Sequence, residues 1–161
     1  MARKNKNEAK ITFKAETKEF TQGIKDMNDS MKTLNKQIKL NQTEMKNTGE
    51  TVEGLRKEQD LLNQKLQDSN KKIEETRKCL EKAKEIYGEN SEEVKKWTNK
   101  LLDAEIQNQS IQNAINKTND KLQEMERATQ DASNGMDDLS DSTKDTKSEF
   151  EKLEDSITKS Y

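Results

Sequence analysis

The sequence has no histidine, no proline and a single cysteine. Without histidine the chain lacks the commonest general base and the commonest metal ligand. A lone cysteine, Cys79, excludes an internal disulfide and a thiolate zinc site. It falls beside the apolar repeat described below and reads as a partly exposed free thiol. Hydrophobic residues make up 27% of the chain and aromatic residues 4%, which is too little for a broad three-dimensional core. No window is apolar enough to span a membrane, and the basic start (Arg3, Lys4, Lys6 and Lys10 against Glu8) lacks the apolar run of a signal peptide. Charge of one sign is missing as well. The 30 basic and 32 acidic residues are interspersed and sum to −2, so no positive field gathers phosphates and nucleic acid is not an expected partner.

What the chain does have is a period. From Phe20 and Ile24, steps of three and four land on Met27, Met31, Leu34 and Ile38, then on Val52, Leu55, Leu62, Leu66, Ile73, Leu80 and Tyr87. The same phase continues through Val94, Trp97, Leu101, Ile111, Ile115, Leu122 and Met125, and more thinly through Met136, Leu139, Phe150, Leu153 and Ile157. Alternating steps average 3.5 residues, the seam of a coiled coil rather than the wider stripe of a globular helix. The spacing therefore predicts an all-α fold of long heptad-repeat helices whose seam residues form helix–helix interfaces. Polar rungs at Asn41, Thr48 and Asn108 weaken the seam, and Asn108 is of the kind that fixes register. Leu40, Leu61, Leu102 and Ile106 lie off the seam, which suggests that some helices touch more than one neighbour.

Three regions follow. Residues 1–16 read as a loose tail and one short strand at about 10–16, where Ile11, Phe13 and Ala15 alternate with polar residues. Residues 17–130 form the coiled-coil region, with helices at about 17–47, 52–87 and 92–130. Thr17 and Thr51 are cap candidates, Gly49 and Gly88 are turn candidates, and Asn90 or Ser91 can cap the third helix. Tyr87 and Trp97 flank the Gly88 turn and could pack across it. Gly54 weakens the second helix by roughly 1 kcal/mol relative to alanine. Residues 131–161 shift to Asp, Ser, Thr and Gly and read as an acidic linker, with a turn at Asn134-Gly135, followed by a weak helix. Two shapes stay open: a single rod about 200 Å long, or helices that fold back as antiparallel hairpins. Unbroken phase favours the rod, and stop-and-cap chemistry at Gly88 favours hairpins.

No catalytic residue, metal ligand or cofactor site is expected, and the chain does not read as an enzyme. Gly49 and Gly54 match phosphate-loop spacing, but Leu55-Arg56 stand where Lys and Ser or Thr are required. Asp137, Asp138 and Asp141 lack the ligand spacing of a calcium loop and read as a solvated face.

The order FKAETKEF, LNKQIKLNQTEMK and YGENSEEV within residues 11–122 resembles the amino-terminal region of phage tail tape measure proteins of the Gram-positive phage and prophage type. The resemblance implies a structural virion-assembly role: setting tail length and scaffolding tail tube polymerisation. It also implies self-association and partnership with tail tube and tail assembly chaperone proteins. The location implied is the bacterial host cytoplasm during assembly and the tail lumen in the virion. Family members are usually several times longer, so the chain reads as an amino-terminal fragment, a truncated prophage product or a small relative. The alternative is a coiled-coil adaptor or secreted helical-hairpin effector that binds a host protein. Against one family of that kind, Thr98 and Asn99 follow Trp97 where it has a glycine-containing turn.

Overall fold

A computed structural model describes residues 5–158, with side chains through Lys152. The fold is all-α: α1 is Lys6–Glu16, α2 is Lys18–Thr48, α3 is Val52–Tyr87 and α4 is Glu92–Thr158. The chain divides into two units, Met1–Asp120 and Lys121–Tyr161.

In the first unit the strand expected at about 10–16 is not formed, and those residues belong to helix α1. A lone strand leaves its backbone unpaired, whereas a helix satisfies its own. The helix also puts Ala9, Phe13 and Thr17 on one face at intervals of four, and all three are buried. Ile11, which alternation would put beside Phe13, is 70% exposed. Asn5 caps α1, its Oδ1 accepting from the Asn7 N–H at 3.3 Å. Thr17 is not the hydroxyl cap expected for α2. Its Oγ1 donates backwards to the Phe13 carbonyl at 2.7 Å. The Thr17 carbonyl in turn accepts from the Thr21 N–H at 2.9 Å, so α1 hands over to α2 with little interruption.

Both glycine breaks turn the chain. Gly49 and Gly88 have φ of 95° and 85°, a region that side chains with a Cβ rarely enter. Thr51 Oγ1 accepts from the Gly54 N–H at 3.0 Å and opens α3. Of the two cap candidates for α4, Ser91 takes the role, its Oγ accepting from the Val94 N–H at 3.2 Å. The resulting pairs run antiparallel. Between α2 and α3, Asn41 bonds to Gly54, Gln42 to Glu58 and Ser30 to Asp68. Between α3 and α4, Arg77 meets Glu105, Lys72 meets Gln107 and Gln59 meets Asn119. The 36 residues of α3 span about 54 Å at 1.5 Å per residue.

Gly54 has a use that its cost in helix propensity hides. A Cβ there would lie 2.7 Å from Met45 Sδ, so its absence lets α2 approach α3 closely just after the turn.

In the second unit residues 121–158 are helical, including the stretch from 131 where the composition shift predicts a linker before a weak helix, and Asn134-Gly135 makes no turn. Threonine hydroxyls in this stretch bond back along the helix. Thr129, Thr143 and Thr146 donate their hydroxyls to the carbonyls of Met125, Leu139 and Ser142 at 2.8–2.9 Å. Hydroxyls that could have competed with the helix are spent on its own acceptors. One glycine in an exposed helix costs only about 1 kcal/mol. The side chains of Leu153 and Ile157, and residues Met1–Lys4 of the expected tail, lie outside the described residues.

Candidate helix–helix interface

Within the first unit every expected apolar seam residue is at least half-buried, while the polar rung Thr48 is exposed. Met31, Leu34, Ile38, Leu55, Leu62, Leu80, Val94, Trp97 and Ile111 are buried. Phe20, Ile24, Met27, Val52, Leu66, Ile73, Tyr87, Leu101 and Ile115 are half-buried. In the second unit Leu122 and Met125 are half-buried. The turn residues Gly49, Gly88 and Asn90 are exposed. Off the seam, Leu40, Leu102 and Ile106 are 60%, 52% and 68% exposed, so they do not serve a second neighbour within the chain, whereas Leu61 is half-buried.

At the Gly88 end α1, α3 and α4 share a buried cluster, with the start of α2 packed against it. Phe13, Cys79, Leu80, Ala83, Val94 and Trp97 form one buried cluster, with Phe20, Ile24 and Tyr87 packed against it. Tyr87 and Trp97 flank the turn as expected, but their ring contacts run through Phe13. Its centroid lies 5.5 Å from Tyr87 and 6.0 Å from Trp97. Tilted aromatic pairs at such distances contribute about 0.5–1.5 kcal/mol beyond the area they bury. Sequence reasoning missed Phe13 because period two was read where period four applied. The Ala9–Phe13–Thr17 spacing was the available signal.

Cys79 is fully buried, not partly exposed. It lies next to the seam residue Leu80, on the side of α3 that faces the cluster, so three-helix packing covers a position that a two-helix seam would leave open. Burial pushes its thiol up from 9.0 to about 11, against the pull of Lys100. A thiol held protonated is a poor nucleophile. Trp97 is covered on one face by Lys100, whose Nζ is 4.0 Å from the ring centroid. Its indole N–H is buried without a hydrogen-bond partner among the described residues.

Farther along, the interface is polar. Asn108 Nδ2 donates to Ser69 Oγ at 3.1 Å and to Asn70 Oδ1 at 2.7 Å. Its Oδ1 accepts from Gln112 Nε2 at 2.9 Å. Both functional atoms of the side chain are thus paired, and the pairing fixes which residue of α3 faces Asn108. Thr76 and Thr118 are also buried, each bonding back to its own helix. Asn41, the other polar rung, donates from Nδ2 to the Gly54 carbonyl at 2.9 Å. Glu58 is buried and accepts from Gln42 at 2.6 Å. Burial lowers the pKa of Lys65 and of Lys72, with Asp103 opposing the fall at Lys72.

Charged pairs decorate the edges. Glu74 and Lys78 pair at 3.1 Å as their spacing predicts, while Lys57 reaches across to Glu44 at 3.8 Å. Exposed pairs of this kind contribute a few tenths of a kcal/mol each. Among the described residues no group of three His, Cys, Asp or Glu side chains could hold a metal ion. None of the described helices is long and apolar enough to cross a membrane. No protein-family model, curated protein or solved structure matches the chain.

Proposed function

We propose that this chain is a structural assembly protein that works through lengthwise helix packing, in the manner of the amino-terminal region of a tail tape measure protein. The observation that carries this reading is where the apolar residues of the first unit go: its periodic rungs are spent along antiparallel helices, in a coiled-coil hairpin arrangement with Asn108 as a register pin. Such an interface supplies shape and order rather than chemistry, so no catalytic role is assigned. The ordered motifs FKAETKEF, LNKQIKLNQTEMK and YGENSEEV select the tail-assembly setting, with tail tube and tail chaperone proteins as partners. Tail-length determination belongs to a longer, extended chain. The first unit's fold-back gives it a helical length of about 54 Å, which suits a compact scaffold module better than a ruler.

Two measurements test the proposal. Neighbouring reading frames should encode tail tube and tail chaperone proteins, and an antiserum against the chain should label purified tails. A neighbourhood without phage genes, together with unlabelled tails, would overturn it. The second reading is a coiled-coil adaptor or secreted helical-hairpin effector, favoured by the antiparallel turn of α3 into α4 at Gly88 beside Trp97. Recovery of the chain from culture medium free of phage particles would select it instead.

A further inference from the structure

In the first unit a cleft of about 490 Å³ runs beside α1, lined by Lys6, Lys10 and Lys14 of that helix and by Lys96 of α4. Its one acidic lining residue is Glu93, which pairs with Lys96 at 3.7 Å. Four lysines against one glutamate give the lining a net charge of +3, on a chain whose total is −2. Neighbouring carboxylates are directed elsewhere. Glu8 is two residues from both Lys6 and Lys10, which puts it on the opposite side of the helix. Glu16 pairs with Lys82 of α3 at 3.4 Å, Glu92 pairs with Lys95 at 2.7 Å, and Glu89 acts on Lys84. Lys6, Lys10 and Lys14 are exposed, and among the described residues none of them makes an ion pair, unlike Lys78, Lys82 and Lys84 on α3. Steps of four residues set the three ammonium groups about 6 Å apart along one edge of α1, beside the face that buries Ala9, Phe13 and Thr17. The cleft floor is aromatic, with the Phe13 and Tyr87 ring centroids 5.5 Å apart. Its two hydroxyls, on Thr17 and Thr21, already donate to the Phe13 and Thr17 carbonyls, so the lysines are left to meet an anion.

We propose that this cleft binds an acidic helical segment of a partner protein, its carboxylates set against the lysine row and an apolar side chain against Tyr87. A helix with Asp or Glu at every fourth position repeats at the pitch of α1 itself, so three ion pairs form together. A free phosphate fits less well. It reaches one or two of the ammonium groups that α1 spreads over about 12 Å, and it finds no converging N–H donors of the kind that cradle small anions. A nucleic-acid strand would bring phosphates, but its bases need open ring faces, and Phe13 is buried against Tyr87 and Trp97. The cleft stands on the placement of α1 and does not depend on the tail-assembly reading.

Fluorescence anisotropy with the full-length chain tests the assignment. The probe is a labelled alanine-based helical peptide with glutamates at i, i+4 and i+8 and one phenylalanine on the same face. It should bind, and bind more weakly as salt rises. Lys10→Glu combined with Lys14→Glu should weaken binding about tenfold, with Trp97 emission unchanged because both lysines are exposed. If that emission shifts, Lys10→Gln with Lys14→Gln takes the place of the reversal and should weaken binding in the same direction. Lys39→Glu with Lys46→Glu alters net charge equally at exposed positions towards the far end of α2 and should leave binding unchanged. No binding of the peptide, or equal losses in the two reversed pairs, overturns the cleft as the site. Equal binding of a peptide whose glutamates are scattered around the helix overturns the match of pitch. Tighter binding of a labelled single-stranded oligonucleotide, or displacement of the peptide by inorganic phosphate beyond that caused by chloride at equal ionic strength, overturns the acidic protein segment as occupant. None of these outcomes touches gene neighbourhood or tail labelling, so the cleft and the tail-assembly reading fail separately.

Discussion

Replacing Phe13 with alanine separates the helical account of residues 6–16 from the strand that their alternation suggests. Phe13 is 8% exposed and touches Tyr87 and Trp97. Removing roughly 150 Å² of buried ring at 25 cal/mol per Å² costs about 4 kcal/mol, in line with the 3–5 kcal/mol typical of Phe→Ala in cores. Little else holds α1. Ala9 and Thr17 are its remaining buried contacts, and the Glu16–Lys82 pair at 3.4 Å is partly solvent-exposed. An isolated helix of 11 residues is shorter than the ~12–15 at which helices become marginal in water. The expected result is local: α1 detaches while α2, α3 and the α3-facing part of α4 stay folded. Hydrogen exchange should show residues 9–16 losing protection with Leu55–Leu62 unaffected, and Trp97 emission should shift to the red. Ile11→Ala is the control. On a strand Ile11 and Phe13 share a face and both substitutions should hurt, whereas on this helix Ile11→Ala changes stability by less than about 0.5 kcal/mol. Equal losses at the two positions, or unchanged Trp97 emission in Phe13→Ala, would refute the reasoning.

Asn108→Ala removes three hydrogen bonds and leaves Asn70 and Gln112 without that partner, so thermal melts should report a loss of about 1–3 kcal/mol. Gly88→Ala meets no atom within 4 Å, yet its φ of 85° should make it cost about 1–3 kcal/mol in denaturant titrations. Asn90→Ala, at an exposed position of the same turn, should be near neutral. Cys79 should resist thiol reagents at about pH 8 in the native state and react once urea unfolds the chain. Because its folded thiol titrates near 11 against an ordinary 9.0, the unfolded chain loses that proton first. Stability should therefore fall as pH rises from 9.0 through about 11, and Cys79→Ser should flatten that decline.

The heptad phase, the stop signals at Gly49 and Gly88 and the candidate interface residues could all be read from sequence, because each depends on spacing within a few turns of one helix. Asn108 could be read as a polar rung for the same reason, but its partners Ser69 and Asn70 could not, since they lie on another helix. Phe13 is ambiguous in sequence because a short segment such as ITFKAE fits period two and period four about equally well. Only a neighbouring surface, here Tyr87 and Trp97, selects between them. Cys79 followed the same logic. A two-helix seam leaves the position beside Leu80 open, and three-helix packing covers it. The acidic segment after Gln130 goes the opposite way: its Asp, Ser, Asn and Gly point to a linker, and the residues lie within α4.

The order of residues along the chain thus marked most of this protein as helical and marked Gly49 and Gly88 as places where its helices could turn. Those outcomes are set by local backbone geometry and by the recurrence of apolar side chains every 3.5 residues. Tertiary structure decided that the unbroken phase folds back upon itself rather than running on, that an alternating segment becomes α1, and that the rungs at Met136, Leu139 and Phe150 stay uncovered. Each of these depends on which surfaces meet, and the free energy of burial is a property of the pair of surfaces rather than of either stretch of sequence.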